Sequence, residues 1–425
     1  MRRLLFLTLL VLAGCDRAEL DDLEVGTLSA SPDLDVVRLS PDLRLELRPS
    51  RQSGVAAVRI GQNEVPFDSV GGAFVFDTVL EDGLNTFILD ITDDDGEMEI
   101  DTLYALYLDA RQVPLGSTNA LRVDAAISQD LDGRPLISGG SDGGGRALST
   151  GTLLNTAGSG SQEIDLLLAR TGHTASQIES GTLLLGGTTS ATPSGPASFV
   201  NAAEFIDGGG RLQRVVVEGG FARTGHTVRV LQRQGQSYVY AYGGQVPTPS
   251  GVTVSGTVDV FRFDLEDDDL RLVRVSPPGG AGAFPPLVGH LDVPSGTLAS
   301  VILGVGQDPS FAFQWVPSDP PQFPYSFTAL PAVPLQTERS DAAAVRIGSG
   351  LTAILGGRTP DGEVLSSIEV YALGIDRSFV FPPSVQLLVP RADHTATILG
   401  ANRIVISGGR TSDGTPLASI EALQL

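Results

Sequence analysis

The sequence predicts an all-β chain, built as a small β-sandwich followed by an array of repeated β modules. Three observations predict it. Apolar runs are short and β-branched, and 51 glycines and 27 prolines punctuate them. The stretches GGRTPDGEVLSSIEVYAL and GGRTSDGTPLASIEALQL near the end are close copies of each other. Related stretches recur upstream at intervals near the roughly 50 residues that mark a repeat array or a propeller.

Composition narrows the function classes. The chain has 425 residues and carries 28 basic against 50 acidic side chains, a formal charge of −22. Nucleic acid and anionic lipid both select Lys and Arg, so neither is an expected electrostatic partner. The single cysteine, Cys15, rules out a disulfide within one chain. A chain of this size can rely on its core instead.

The N-terminus reads as a targeting segment. Arg2 and Arg3 precede an apolar run from Leu4 to Leu12. Such a run is too short to cross about 30 Å of hydrocarbon as a helix, and reads as a signal peptide. Its end, Leu12-Ala13-Gly14-Cys15, resembles the lipobox of bacterial lipoproteins. That resemblance implies a signal peptide over residues 1–14 and lipidation of Cys15. The expected location is then the cell envelope, with the membrane as a partner through the acylated cysteine. Residues 15–24 are acidic and polar and are expected to form a tether.

Residues 25–109 alternate in the manner of half-buried strands. Leu43, Leu45 and Leu47 interleave with Arg44, Glu46 and Arg48. Val55–Ile60, Ala73–Phe76, Thr86–Ile91 and Met98–Leu108 read as further strands, with a turn at Asp93-Asp94-Asp95-Gly96. The aspartate run does not fit a calcium loop, because the ligand spacing around Gly96 fails, so a solvated turn is expected. The segment from Gly83 to Leu108 resembles the last hairpin of bacterial immunoglobulin-like domains.

Residues 110–425 contain six aligned copies. One slot holds Ala125, His173, His226, His290, Ala342 and His394, in steps of 48 to 64 residues, so all four histidines share it. An arginine stands three residues before it in five copies: Arg122, Arg170, Arg223, Arg339 and Arg391. A glycine pair follows, beginning at Gly139, Gly186, Gly243, Gly356 and Gly408, with Gly304-Val305-Gly306 in the fourth copy. A carboxylate comes later: Glu204, Asp259, Glu369 and Glu421. Arg-x-x-His-Thr, a strand, Gly-Gly, a loop and a strand with Glu resemble the kelch repeat. The resemblance implies a six-bladed kelch-type β-propeller of four-stranded blades. The final copy stops after its third strand, so a segment near Tyr107–Leu115 is expected to supply the fourth. The fourth copy departs most, with Leu287 for Arg and a proline-rich stretch from Pro317 to Tyr325.

Histidines placed once per module around a ring cannot converge on one zinc ion. His173, His226, His290 and His394 are therefore expected to be structural, with no metal and no cofactor. The recurrent Arg and carboxylate are expected to pair. Some kelch-type propellers are copper radical oxidases, which need a cysteine bonded to a tyrosine. The position of Cys15 excludes that activity. The Ser-x-Asp-x-Gly-x-Thr-Trp box of sialidases is absent, and no Gly-x-Ser-x-Gly or His-Glu-x-x-His motif occurs. No catalytic residue is assigned. The expected role is a lipid-anchored scaffold that binds a protein or glycan. The alternative is an enzyme of sugar metabolism acting at the channel mouth. The loops after the glycine pairs supply the candidate binding residues Arg358, Asp361, Arg410 and Asp413, for which a turn with solvated charges is the plainer reading.

Overall fold

The computed structural model describes residues 24–25, 28–31, 33–49, 54–118, 120–155, 161–179, 181–266, 269–277, 280, 285–295, 299–304, 311–315, 327–330, 335–348, 350–400 and 402–425. The predicted signal peptide, Cys15 and nearly all of the predicted tether lie outside these residues, as does the stretch from Pro317 to Tyr325. The protein is all-β; its one helical turn among the described residues is a 3₁₀ turn at Pro196–Ser198. Contacts divide the chain into two units. The first takes the chain up to Leu34 and Ser40–Tyr107, and the second takes Asp35–Leu39 and Leu108–Leu425.

The first unit holds two sheets. One runs in the order Glu24–Val25, Leu28–Ser31, Asp42–Pro49, Ala73–Val79, Phe67–Asp68, and the other Asn63–Glu64, Val55–Ile60, Gly83–Asp93, Met98–Tyr107. Strand period puts Leu43, Leu45 and Leu47 on one face, and all three are buried. They share an apolar cluster with Val58, Leu89, Ile91, Leu103 and Ala105 of the other sheet. The Asp93–Gly96 turn closes on itself, with the Asp93 carboxylate accepting the amides of Asp95 and Glu97.

The second unit repeats one antiparallel pattern six times among the described residues. Sheets one to five each run through four strands in chain order, within Ala126–Arg170, Thr174–Val217, Thr227–Arg274, Leu291–Leu330 and Ala343–Val380. A short parallel pairing, Val216 with Arg271 and Val217 with Leu272, fuses the outer edges of sheets two and three. A hairpin, Gln245–Thr248 with Gly251–Val254, extends beyond the second strand of sheet three.

Sheet six is completed from the other end of the array. Thr395–Leu399, Arg403–Ser407 and Ser419–Gln424 are followed in space by Arg111–Ser117, which pairs antiparallel with the C-terminal strand. The expected segment is shifted toward its C-terminal side, because the chain through Tyr107 is already committed to the first unit. Leu115 packs with Ile137 and Leu154 of sheet one and with Leu399, Val405 and Ile420 of sheet six. Other clusters bridge sheets one and two, sheets two and three, and sheets four and five. Burial between neighbouring sheets is thus the main cohesive term.

Asp35–Leu39 leaves the alternating pattern and joins sheet five. Val36 bridges Val380 in parallel, and the Val37 amide donates to the Val380 carbonyl at 2.9 Å. Arg377 holds the Asp35 carboxylate at 3.0 Å, and the Leu108 amide donates to the Arg38 carbonyl at 3.0 Å.

Candidate functional site

The six first strands surround a cavity of about 710 Å3, reaching from His173, His226, His290 and His394 down to Gln177, Arg229, Asp292 and Arg346. At its histidine end lies a narrower throat of about 170 Å3. The throat is lined by two consecutive residues from each module: Asp124-Ala125, Gly172-His173, Gly225-His226, Gly289-His290, Asp341-Ala342 and Asp393-His394.

The recurrent residues explain why the modules join in this way. Each arginine is buried and donates to the carbonyl of the first glycine of its pair: Arg122 to Gly139, Arg170 to Gly186, Arg223 to Gly243, Arg339 to Gly356, Arg391 to Gly408. Its other end meets the carboxylate of the third strand. Arg170–Glu204 is 2.5 Å, Arg223–Asp259 2.7 Å and Arg391–Glu421 2.6 Å, and Arg339 pairs with Glu369. The glutamates also accept backbone amides from the segment leading into the arginine, as Glu204 does from Leu167 and Leu168. Sheet one lacks the carboxylate. There Arg122 donates instead to the Thr150 carbonyl and hydroxyl.

The glycine pair is a packing device. A Cβ on the first glycine would strike the imidazole of the next module: Gly139 against His173, Gly186 against His226, Gly243 against His290, Gly356 against His394. The second glycine lies against its own module's slot residue, as Gly187 does against His173 and Gly409 against His394. Its amide donates to the carbonyl of the next module's arginine position: Gly140 to Arg170, Gly187 to Arg223, Gly357 to Arg391, and Gly409 across the closure to Arg122. In the fourth module Leu287 replaces the arginine, yet Gly244 still donates to its carbonyl at 2.7 Å. Only backbone is needed for that bond.

The histidines occupy the niches between modules. Nε2 of His173 lies 2.9 Å from the Ser138 hydroxyl, that of His226 3.3 Å from Thr174, and that of His290 3.0 Å from Thr227, each hydroxyl belonging to the preceding module. Burial drives the imidazole of His173 and His226 well below its ordinary pKa, and that of His290 and His394 to about 3. They are neutral wedges. Among the described residues no group of three His, Cys, Asp or Glu side chains is placed to hold a metal ion.

No family model and no curated protein matches the chain. Among solved structures, one titled "Structure of YjhT" superposes on it with a TM-score of 0.51. The two are 13% identical, and the match covers 72% of this chain and 95% of that one. The likeness is one of fold.

Two of the four predicted loop residues reach the throat. Arg358 and Arg410 follow the second glycine in modules five and six, and bridge the throat turns at Ser340 and Ala392 through backbone pairs. Arg410 grips the Asp393 carboxylate at 2.7 Å and reaches Asp124 at 3.8 Å. Arg358 lies 3.8 Å from Asp341 and 3.7 Å from Asp393. Asp361 and Asp413 do not join them. Both are exposed on the turns beyond, and Asp413 accepts from Thr411 and from the Thr415 amide.

The three aspartates are the part that sequence reasoning missed. Asp124, Asp341 and Asp393 have φ of 53°, 54° and 56°, in the left-handed region. The equivalent Gly172, Gly225 and Gly289 have φ of 62° to 67°. Glycine adopts this backbone at no steric cost, and aspartate is among the few other residues that tolerate it. The signal was available in the position one residue before the slot, which holds only Asp or Gly. The three aspartates come from neighbouring modules, so one half of the throat is acidic and the other is glycine. Desolvation, then the neighbouring Asp393, pushes Asp124 up to about 7. Desolvation and Asp341 push Asp393 to about 6 against the pull of Arg410 and Arg358. Asp341 is raised by burial.

Proposed function

We propose that the protein is a lipid-anchored cell-envelope protein whose second unit is a six-bladed kelch-type propeller acting as a rigid scaffold that binds a protein or glycan. The first unit is an immunoglobulin-like spacer, and acylated Cys15 is the membrane anchor. The observation that carries this reading is the fate of the recurrent chemistry. Arginine, carboxylate, histidine and both glycines are consumed in joining one sheet to the next. What varies between modules stands beyond the second glycine, beside the throat: the segment from Thr188 to Ser198, the hairpin Gln245–Val254, and the turns after Arg358 and Arg410. Variable loops on an over-determined frame suit recognition.

A glycan array and a pull-down from envelope extracts, both with the form lacking residues 1–15, test the reading. Enrichment of one class that is lost on shortening Thr188–Ser198 or the hairpin supports it; enrichment of neither class counts against it. Acylation is tested separately by mass spectrometry of the full chain and its Cys15→Ser variant.

A second reading, an enzyme of sugar metabolism, has its own support in the arginine–aspartate cluster of Arg358, Arg410, Asp341, Asp393 and Asp124. That cluster is not repeated around the ring. Incubation with reducing sugars and sugar acids, followed by proton NMR, distinguishes it. Turnover that disappears in Arg410→Gln favours the enzyme.

A further inference from the structure

The acidic half of the throat is unbalanced in a particular way. Three carboxylates, Asp124, Asp341 and Asp393, face two guanidiniums, Arg358 and Arg410. Asp393 is shared by both arginines and is the keystone of the group. The backbone cannot relieve the crowding, because the amide of Asp393 donates to the Asp341 carbonyl and the amide of Asp124 to the Asp393 carbonyl. These bonds fix the three side chains side by side in the same left-handed conformation. Each arginine is about one-third exposed, at 30% and 34%, so its outer face is open to a ligand.

We propose that this cluster is an acid-switched anion site: protonation of the collar carboxylates releases Arg358 and Arg410 to bind a small oxyanion at the throat. When all five groups are ionised, the carboxylates outnumber the guanidiniums by one. When Asp124 and Asp393 take up protons, the guanidiniums are in excess by one. The raised affinities of these two aspartates for protons place that reversal between neutral and mildly acidic pH. The other titratable groups around the throat are His173, His226, His290 and His394, which burial keeps neutral across the range. Two forked donors on one side of a narrow opening match a sulfate, phosphate or carboxylate group. The proposal concerns the collar alone and is independent of what the outer loops engage.

Sulfate is the probe, because its charge is constant over the range. Calorimetric titration of the chain lacking residues 1–15 at about pH 8 and about pH 5 should show binding on the order of tenfold tighter in acid. The Arg358→Gln/Arg410→Gln double variant should lose that gain, which separates the site from the general fall in negative charge. Asp393→Asn, which tolerates the left-handed backbone, leaves two carboxylates against two guanidiniums and should bind sulfate at about pH 8 more tightly than the parent at that pH, recovering part of the acid gain. Affinity independent of pH, or an acid gain retained in the arginine double variant, overturns the proposal. So does Asp393→Asn behaving as the parent at about pH 8.

Discussion

The amide of Asp124 donates to the carbonyl of Asp393 over 3.0 Å, joining the first turn of the array to the last. The same bond links Asp393 to Asp341, Gly172 to Asp124 and Gly225 to Gly172. The collar therefore runs through the closure as though the chain had no beginning there. Other contacts cross it as well, among them the Gly409 amide to the Arg122 carbonyl, the Thr118 amide to the Ala418 carbonyl and the pairing of Arg111–Ser117 with Ser419–Gln424.

The buried ion pairs give the first prediction. Arg170 and Glu204 are both fully buried, and removing one leaves the other charged and desolvated. Glu204→Ala should cost about 3–5 kcal/mol in chemical unfolding. Asp361→Ala, on an exposed turn, should change stability by less than about 0.5 kcal/mol.

Glycines of two kinds give the second. A Cβ at Gly186 would lie 2.6 Å from the Arg223 carbonyl and 2.9 Å from the His226 ring, at φ +69°. At Gly414, φ is +82° and nothing lies within 4 Å. Gly414→Ala should cost only the backbone term, about 1–2 kcal/mol. Gly186→Ala adds overpacking of about 1–3 kcal/mol to it. Thermal unfolding of the two variants side by side checks the difference.

The histidines give a pH prediction whose sign follows from linkage. The folded pKa of His290 and His394 is about 3, below the unfolded value, so between about pH 6.5 and 3 the unfolded chain binds more protons at these two positions. Their contribution is complete above that window and is lost as pH falls through it. The collar aspartates work in the opposite direction, since their folded pKa is raised and acid favours the folded form. Replacing one histidine isolates its share. In His290→Gln the slope of stability against pH between about 6 and 4 should be lower than the parent's by about 1.4 kcal/mol per unit. Urea unfolding across that range measures it.

How much of this was legible varied with the kind of residue. The slot shared by the four histidines, the arginines before it and the later carboxylates kept their order in the sequence, and each proves to be one joint repeated. What the glycine pair is for was not legible. Its partners, such as His226 for Gly186, lie in the next module, and spacing within a module says nothing about them. The collar was overlooked because aspartate and glycine look unrelated until their shared left-handed backbone is seen. Arg358 and Arg410 were singled out as polar loop residues, but their aspartate partners, Asp341, Asp393 and Asp124, stand on other turns of the collar, one of them across the closure. The addition of Asp35–Leu39 to sheet five leaves no pattern, because a bridge at Val36 needs no period.

That addition is itself testable. If Asp35–Leu39 stabilises sheet five, a chain beginning at Ser40 should unfold at a lower temperature than one beginning at Asp33. Asp35→Ala should reproduce a small part of the loss, about 0–1 kcal/mol for a partly exposed pair.

The ring closure is tested most directly by cross-linking the two strands that meet there. Arg111 lies opposite Gln424 in the register. In the form lacking residues 1–15, which has no native cysteine, Arg111→Cys with Gln424→Cys should oxidise to an intramolecular disulfide and raise the melting temperature. Failure to form that bond in the folded monomer, with only intermolecular disulfides appearing, would contradict the closure.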